Sequence, residues 1–176
     1  SCILSTIFAG MLMKDSIYTL KLARRGVDTR EGKEVGVLKS MCVKDVMNRH
    51  VETISESTAL GEMADLISKS KYNSFPVLNA ANQLTGIISF NDYNEAMFDE
   101  DLKDLVVAKD LASENVTTVS ADEDLYTALG KISRKDFSTM PVVSPADPTE
   151  LVGIVTRRDI IGAYEKAVLK KSLFQS

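Results

Sequence analysis

One pattern of apolar and polar positions occurs twice along this chain. Each copy contains a segment whose apolar residues recur at i, i+3, i+4 and i+7, the spacing of one buried helix face. These residues are Leu60, Met63, Ala64 and Ile67 in the first copy and Leu125, Ala128, Leu129 and Ile132 in the second. Two short apolar runs follow each helix, FPVLN with TGIISF and MPVVS with VGIVT, and their lengths are typical of paired buried strands. With an extended segment near Thr53 and a last helix near Asp92 or Asp159, each copy is predicted to be β-α-β-β-α.

Capping and proline chemistry predict the boundaries of these elements. Ser57 and its counterpart Asp122 are expected N-caps, because their side-chain oxygens can accept a hydrogen bond from a first-turn amide. Pro76 and Pro141 are expected at strand starts, where a missing amide donor does least harm. The chain is therefore divided into a connector (1–40), a first repeat (41–98), a linker (99–106), a second repeat (107–166) and a tail (167–176).

The repeat also preserves residue types that carry chemistry. Aligning Asp45 with Asp110 pairs Thr53 with Thr118 and Pro76 with Pro141. After a slip of two residues at the loop containing Asp147, the alignment pairs Gly86 with Gly153, Ser89 with Thr156 and Asp92 with Asp159. Two copies of one unit predict an α/β (α+β) fold with pseudo-twofold symmetry.

Composition narrows the class of protein. The 176 residues are 44% hydrophobic, enough for a shared core, and a net charge of −4 argues against a nucleic-acid partner. Cys2 and Cys42 lack metal-type spacing and favour a reducing, intracellular setting over a disulfide framework. The one histidine, His50, is expected to be an exposed bystander. The sequence contains no catalytic motif, so neither catalysis, a catalytic cofactor nor a metal site is expected.

The first 26 residues differ in kind from the repeats. SCILSTIFAGMLM is an apolar run of 13 residues, and a bilayer-crossing helix needs about 20. The run is either a buried or interface helix or the end of a longer membrane span. Lys21, Arg24 and Arg25 follow it, which fits the cytoplasmic side of a membrane helix and equally a solvated helix face that ends at Gly26.

The tandem β-α-β-β-α unit, with its proline-led strand and its G-h-h-[ST]-x-x-D ending (h apolar), resembles the CBS domain family, named after cystathionine β-synthase. The resemblance covers about residues 41–98 and 107–166. A pair of such domains, a Bateman module, typically binds adenosine nucleotides between its halves and regulates an attached channel, transporter or enzyme. The resemblance therefore implies AMP, ADP or ATP as a regulatory ligand and a homodimer formed through the CBS helices.

The S-x-x-D and T-x-x-D sequences have two interpretations. As capping boxes, the hydroxyl accepts from a first-turn amide while the carboxylate reaches back to the cap. The family resemblance implies a second use, in which the carboxylate accepts hydrogen bonds from ribose hydroxyls and the free amides of the helix start attract an anion. One helix end can serve both purposes.

The second copy is the stronger candidate for phosphate binding, because it reads GIVTRRD where the first reads GIISFND. In CBS pairs the opposite wall of the cleft comes from the other copy. Its KYNSFPV segment offers Tyr72, which is expected to stack on adenine or, alternatively, to pack half on the core. The predicted first cleft consists of Thr53, Tyr72, Asn73, Ser74, Pro76, Thr156, Arg158 and Asp159.

A second cleft follows from the same pseudo-symmetry. It consists of Thr118, Phe137, Ser138, Pro141, Ser89, Asn91 and Asp92. It keeps an aromatic residue and a carboxylate but lacks the arginine, so it should bind a nucleotide more weakly, prefer an uncharged nucleoside or stay empty. Losing a charge-assisted contact costs about 1.5–3 kcal/mol, roughly a factor of ten to a hundred in affinity.

The segment DSIYTLKLARRGVD, ahead of the first repeat, is similar to the connector of the ClC chloride channel and transporter family. There the last membrane helix leads into a cytoplasmic CBS pair. The resemblance implies a membrane channel or transporter domain in the same chain and a location on the cytoplasmic face of the membrane. Two other classes fit the repeats, namely a soluble sensor or regulatory part of an enzyme, and a purely structural dimerisation module.

Overall fold

The computed structural model describes residues 35–98, 105–135 and 139–173, without the side chains of residues 134–135 and 171–173. The first repeat contains a 3₁₀ turn Val43–Asp45, β1 Ile54–Ser55, α1 Leu60–Lys69, β2 Ser74–Leu78, β3 Leu84–Ser89 and α2 Phe90–Met97. The second contains α3 Ala108–Leu111, β4 Val119–Ser120, α4 Leu125–Lys135, β5 Thr139–Val143, β6 Leu151–Thr156 and α5 Arg157–Leu173. The predicted β-α-β-β-α order is confirmed in both repeats.

The two sheets have the same topology and register. In each, a two-residue strand runs parallel to the central strand, which pairs antiparallel with the third. Val77 lies opposite Gly86 and Val142 lies opposite Gly153, and the register shifts immediately after both pairs. The pseudo-symmetry therefore holds at the level of individual residue pairs.

The expected position of the prolines at strand starts is wrong. Pro76 is the third residue of β2, opposite Ile87, and Pro141 is the third of β5, opposite Ile154. Both are tolerated there because the neighbouring parallel strand is very short. β1 pairs with β2 only from Val77 onward, so β2 has no strand partner beside Pro76 on that side.

Each repeat has its own apolar core, which contains the predicted helix faces. Leu60, Met63 and Ile67 are buried in one core and Leu125, Ala128 and Ile132 in the other, with Ala64 and Leu129 partly buried beside them. Burying a side chain of this size contributes about 1.5–3 kcal/mol. Both helices are thus held by packing into the core of their own repeat.

The core of each repeat is completed by a segment from the beginning of the other repeat. We name residues 38–48 and 106–113 the first and second leading segments. Leu38 and Val43 are buried in the core of the second repeat, and Ala108 is buried in the core of the first. Val43 N donates to Glu123 O at 2.9 Å, and its counterpart Ala108 N donates to Thr58 O at 2.9 Å. The two repeats therefore exchange their leading segments.

The end of each leading segment adds a short edge pairing to the other repeat's sheet. Asn48 N donates to Ile154 O at 2.8 Å, and Ile154 N donates back to Asn48 O at 2.9 Å. In the other half, Ser113 N donates to Ile87 O at 2.9 Å, and Ile87 N to Ser113 O at 3.1 Å. These bonds cover part of the exposed edges of β3 and β6.

The predicted N-caps Ser57 and Asp122 are wrong, because both helices begin later. The N-cap of α1 is Ala59, and no side chain caps it; instead, Leu60 N donates to Val106 O of the second leading segment at 2.9 Å. Backbone of the second leading segment thus satisfies the first of the amides that have no partner within the helix.

Unlike α1, helix α4 has a side-chain N-cap, which is Asp124. It directly precedes α4, and its carboxylate accepts from Thr127 N and Thr127 Oγ1, both at 2.9 Å. Although partial burial raises the pKa of Asp124, the hydrogen bonds from Thr127 outweigh it and hold that pKa below its ordinary value.

Replacing Asp124 with alanine should destabilise the fold by about 1 kcal/mol at neutral pH, the usual cost of losing an N-cap. A group whose pKa is lowered on folding stabilises above its unfolded pKa, and this contribution is lost as pH falls. The difference between wild type and Asp124→Ala should therefore be full at pH 7 and shrink below about pH 4. Urea unfolding at several pH values measures it. A difference that does not change down to pH 3 would contradict the capping role.

Candidate functional site

In each repeat, the G-h-h-[ST]-x-x-D motif spans the end of the last strand and the start of the helix that follows it. At the start of α5, Asp159 Oδ2 accepts from Thr156 N at 2.9 Å and Thr156 Oγ1 at 2.7 Å, while Asp159 N donates to Thr156 Oγ1 at 3.1 Å. Ser89 and Asp92 form the same three bonds, at 2.8, 2.7 and 3.2 Å. The predicted capping boxes are confirmed in both copies.

The two helix starts differ in the residues between hydroxyl and carboxylate. Arg158 is exposed in the first turn of α5 and makes no hydrogen bond or salt bridge to any residue that the structure describes. At the start of α2, Asn91 is exposed and Phe90 is 42% exposed. Of the two helix starts as the structure describes them, that of the second repeat carries an exposed arginine suited to contact an anion.

Asn48 connects the first repeat's aromatic side chain to the second repeat's sheet. Its Nδ2 donates to the Tyr72 hydroxyl at 2.8 Å, and its backbone pairs with Ile154. Since alternate residues of a strand share a face, Ile154 lies on the same face of β6 as Thr156. Tyr72 of the first repeat is thus linked through Asn48 to the strand that ends at Thr156. The Lys71 ammonium lies 5.3 Å from the centroid of the Tyr72 ring.

Two other first-cleft residues from copy one, Asn73 and Ser74, lie beside the helix start of their own repeat. The Asn73 carbonyl accepts from Phe90 N at 2.9 Å, and Ser74 lies opposite Ser89 in the β2–β3 pairing. Thr53 is half-buried just before β1, whereas Pro76 is buried within β2. Burial leaves Pro76 supporting the sheet, so we do not expect its ring to offer a contact surface.

The second cleft is described in part. Phe137 and Ser138 lie outside the described residues, and Pro141 is buried in β5. The Thr118 carbonyl accepts from Lys131 Nζ at 3.3 Å. Asp92, on the opposite side, is engaged in its capping box.

A groove of ≈ 590 Å³ runs along α5 beside the first leading segment. Arg158, Asp159, Lys166 and Lys170 line it, with Asp45 on the facing side. Among the residues that the structure describes, the predicted first-cleft residues that line this groove are Arg158 and Asp159. The helix start therefore has open space on this side, and Tyr72 is not among the residues that line the groove.

Sequence patterns do not single out Asn48 or Lys131. Asn48 is the first residue of the turn-like NRH stretch, and Lys131 lies beside the predicted apolar face of α4. Asn48 aligns with Ser113 in the repeat, and both are polar residues shortly before a strand. That alignment is the one signal that could have marked the position.

Comparison with known proteins gives a consistent result. A family model for the CBS domain matches residues 43–99 and 108–166. A solved CBS domain pair in complex with 5′-methylthioadenosine and S-adenosyl-L-methionine is 28% identical, with a TM-score of 0.61, covering 72% of this chain and 98% of that one. CBSX2 in complex with AMP has a TM-score of 0.61 at 23% identity, covering 72% and 97% of the two chains, and shows a common fold.

Two of the curated relatives are longer proteins. An uncharacterized protein of Methanocaldococcus jannaschii is 30% identical over 127 residues, which are 72% of this chain and 40% of the relative. A homoserine O-acetyltransferase of Methanohalobium evestigatum is 26% identical over 126 residues, 70% of this chain and 24% of that enzyme. The chain thus spans less than half the length of these two relatives.

The described residues were also compared with the requirements of membrane and metal sites. None of their helices combines the length and apolar character of a membrane span. Nor do these residues contain a cluster of three or more potential metal-ligating histidine, cysteine, aspartate or glutamate side chains. The apolar run Ser1 to Met13 and the segment DSIYTLKLARRGVD lie outside the described residues.

Proposed function

This chain belongs to the CBS domain family and carries the domain twice in tandem; from that premise, we propose that it is a regulatory module that binds one adenosine nucleotide in the first cleft. The observation that carries the proposal is the Asn48 bridge. It joins Tyr72 of the first repeat to the strand that ends at Thr156 in the second, next to the unpaired Arg158.

Each wall of this cleft offers a different part of the chemistry. Asp159 uses Oδ2 within its capping box, so Oδ1 remains for a ribose hydroxyl; the described residues provide no other partner for it. Arg158 and the amides at the start of the 17-residue helix α5 suit a phosphate. Tyr72 supplies an aromatic face for the base, although Lys71 must share or leave that face.

The comparisons support the ligand class. The CBS pair at 28% identity was solved with two adenosyl compounds. Both carry the adenine and ribose that Tyr72 and Asp159 suit, and neither has a phosphate. We propose that Arg158 shifts the preference of this chain toward a phosphorylated ligand, AMP, ADP or ATP.

Ligand-dependent thermal unfolding tests the function. AMP, ADP, ATP, S-adenosylmethionine and 5′-methylthioadenosine are each added to the protein, with inosine and inorganic phosphate as controls. A ligand at 100 times its Kd adds about 2.7 kcal/mol, so a true ligand should raise Tm by about 5 °C or more. Calorimetry should find one site per chain for the best nucleotide. If none of the five compounds shifts Tm, the structural dimerisation module becomes the better account.

A second proposal concerns what the module regulates. The similarity of DSIYTLKLARRGVD to the ClC connector favours a chloride channel or transporter domain in the same chain, with this module on the cytoplasmic face of the membrane. The gene sequence upstream of Ser1 tests it, since ten or so apolar spans should be encoded there. Their absence would favour a soluble sensor or the regulatory part of an enzyme.

We also propose that two copies of the chain pair through their CBS helices. Ile161, Val168 and Leu169 are exposed apolar residues on α5 and offer contact area for such a dimer. The division into a connector, two repeats, a linker and a tail stays a prediction alongside it.

A further inference from the structure

A row of basic side chains lies along the groove beside α5. Arg158, Lys166 and Lys170 line this groove of ≈ 590 Å³, and all three are exposed. They are spaced by eight and four residues, so they lie on one side of the 17-residue helix over about 18 Å. None of the three makes a hydrogen bond or salt bridge to a residue that the structure describes. Their charges are therefore available to an anion in the groove.

The two carboxylates that line the same groove are already engaged. Asp45 Oδ2 accepts from Cys42 N at 3.1 Å, and Asp159 Oδ2 is held by its capping box with Thr156. With three basic and two acidic side chains in its lining, the groove is net positive, whereas the whole chain has a net charge of −4. An acidic protein that collects cations along one groove is suited to an anionic ligand there.

Gly162 leaves the helix surface open between Arg158 and Lys166. It stands four residues from each of them, and an added Cβ there would meet nothing within 4 Å. Packing among the described residues therefore does not require a glycine, although glycine weakens a helix interior relative to alanine. The repeat alignment places Glu95 in the first repeat where Gly162 stands in the second. The open cationic face is thus a feature of the second repeat and not a requirement of the fold.

We propose that this groove binds the β- and γ-phosphates of the nucleotide, so that the module prefers ATP to ADP and ADP to AMP. The proposal rests on the proposed function, in which the ribose meets Asp159 and the first phosphate meets Arg158. Both residues also line the groove, whereas Tyr72 does not. A nucleotide with its base at Tyr72 and its ribose at Asp159 therefore extends its phosphate chain over Gly162 toward Lys166. Each added phosphate brings more negative charge close to that lysine.

Calorimetric titration of the full chain with AMP, ADP and ATP tests the proposal, in EDTA so that no divalent cation masks the phosphates. ATP should bind about tenfold more tightly than AMP, the effect of one charge-assisted contact, and added salt should shrink the difference. Replacing both Lys166 and Lys170 by glutamine should bring the ATP to AMP affinity ratio close to one and leave the AMP affinity unchanged. Replacing Lys69 and Lys109, exposed lysines outside the groove, removes the same charge and should keep the preference.

Substitution of Gly162 offers a second test that keeps every lysine. Gly162→Glu introduces the residue that the first repeat carries, and its carboxylate should weaken ATP binding more than AMP binding by repelling the added phosphates. Gly162→Gln has nearly the same size without the charge, so it should retain more of the ATP preference. Circular dichroism and Tm show that each variant is folded, which the open space around an added Cβ allows.

Two results would overturn the proposal. One is equal affinity of the unaltered chain for AMP and ATP; the other is an ATP preference that survives both the double glutamine replacement and Gly162→Glu. Failure of the proposed function is distinguishable from both. It would show as an absence of binding of AMP and every other adenosine compound by the unaltered chain, before any substitution is made.

Discussion

Replacing Asp159 with alanine should weaken the binding of AMP or ATP by about tenfold to a hundredfold, because a charge-assisted contact to the ribose is lost. The same change removes the carboxylate of the capping box at α5, which bonds to Thr156 N and Oγ1. That loss should destabilise the fold by about 1 kcal/mol. Calorimetry measures the affinity, and urea unfolding without ligand measures the stability.

The chain contains a matched control for this experiment. Asp92 makes the same bonds to Ser89 at the start of α2, so Asp92→Ala removes an equivalent capping box. It should cost similar stability and leave the tight nucleotide site unchanged. Equal losses of affinity in both variants would mean that the effect comes from weakened folding, and the ribose role of Asp159 would then be abandoned.

Replacing Gly86 with alanine should destabilise the protein by about 1–3 kcal/mol, the range for overpacking a filled core. A Cβ added at Gly86 would lie 2.7 Å from the Cβ of Ala112 and 3.3 Å from the Ser113 carbonyl oxygen. Neither atom can rotate away, since one is fixed to the backbone and the other belongs to it. The second leading segment would have to separate from β3. Urea unfolding should show a lower midpoint, with loss of the Ser113–Ile87 pairing visible as faster amide exchange.

Substitutions at two other glycines serve as comparisons for Gly86→Ala. At Gly153 the nearest atom to an added Cβ is Met47 Sδ at 2.7 Å, and the Asn48 carbonyl oxygen lies at 3.1 Å; because the closest contact belongs to a flexible side chain, Gly153→Ala should destabilise less than Gly86→Ala. Gly130 lies within helix α4 with nothing within 4 Å of an added Cβ. Gly130→Ala should stabilise by about 0.5–1 kcal/mol. Equal effects at Gly86 and Gly130 would show that the leading segment does not press on the sheet.

Local patterns predicted most of the fold, because the forces that form its elements are local. The apolar faces of α1 and α4 and the strand runs follow from spacing alone, and both are confirmed. The start of α1 was not predictable in this way. Its first amide is bound by Val106 from the other leading segment, so no capping residue marks the boundary, and the capable Ser57 lies upstream of it.

In the candidate site, too, the local contacts were predictable and the long-range contacts were not. The capping boxes at Ser89 and Thr156 join residues three apart in sequence, and the sequence motif predicted them. Asn48 is 24 residues from Tyr72 and is linked through Ile154 to a distant strand. The spacing of residues along one sequence does not show that two residues this far apart are in contact. Lys131 was overlooked for a different reason, because a charged residue beside a helix's apolar stripe is usually solvated.

The exchanged leading segments bear on how such a chain can arise. A single repeat carries a leading segment that fits a core other than its own, so alone it would have an unfilled core and a loose segment. Two identical single repeats could fill each other's cores by exchanging these segments in a symmetric dimer. Fusing two such copies would make the exchange intramolecular, at a far higher effective concentration. Once fused, the halves were free to diverge, and charges such as Arg158 and Lys131 could then appear on one side of the symmetry axis alone.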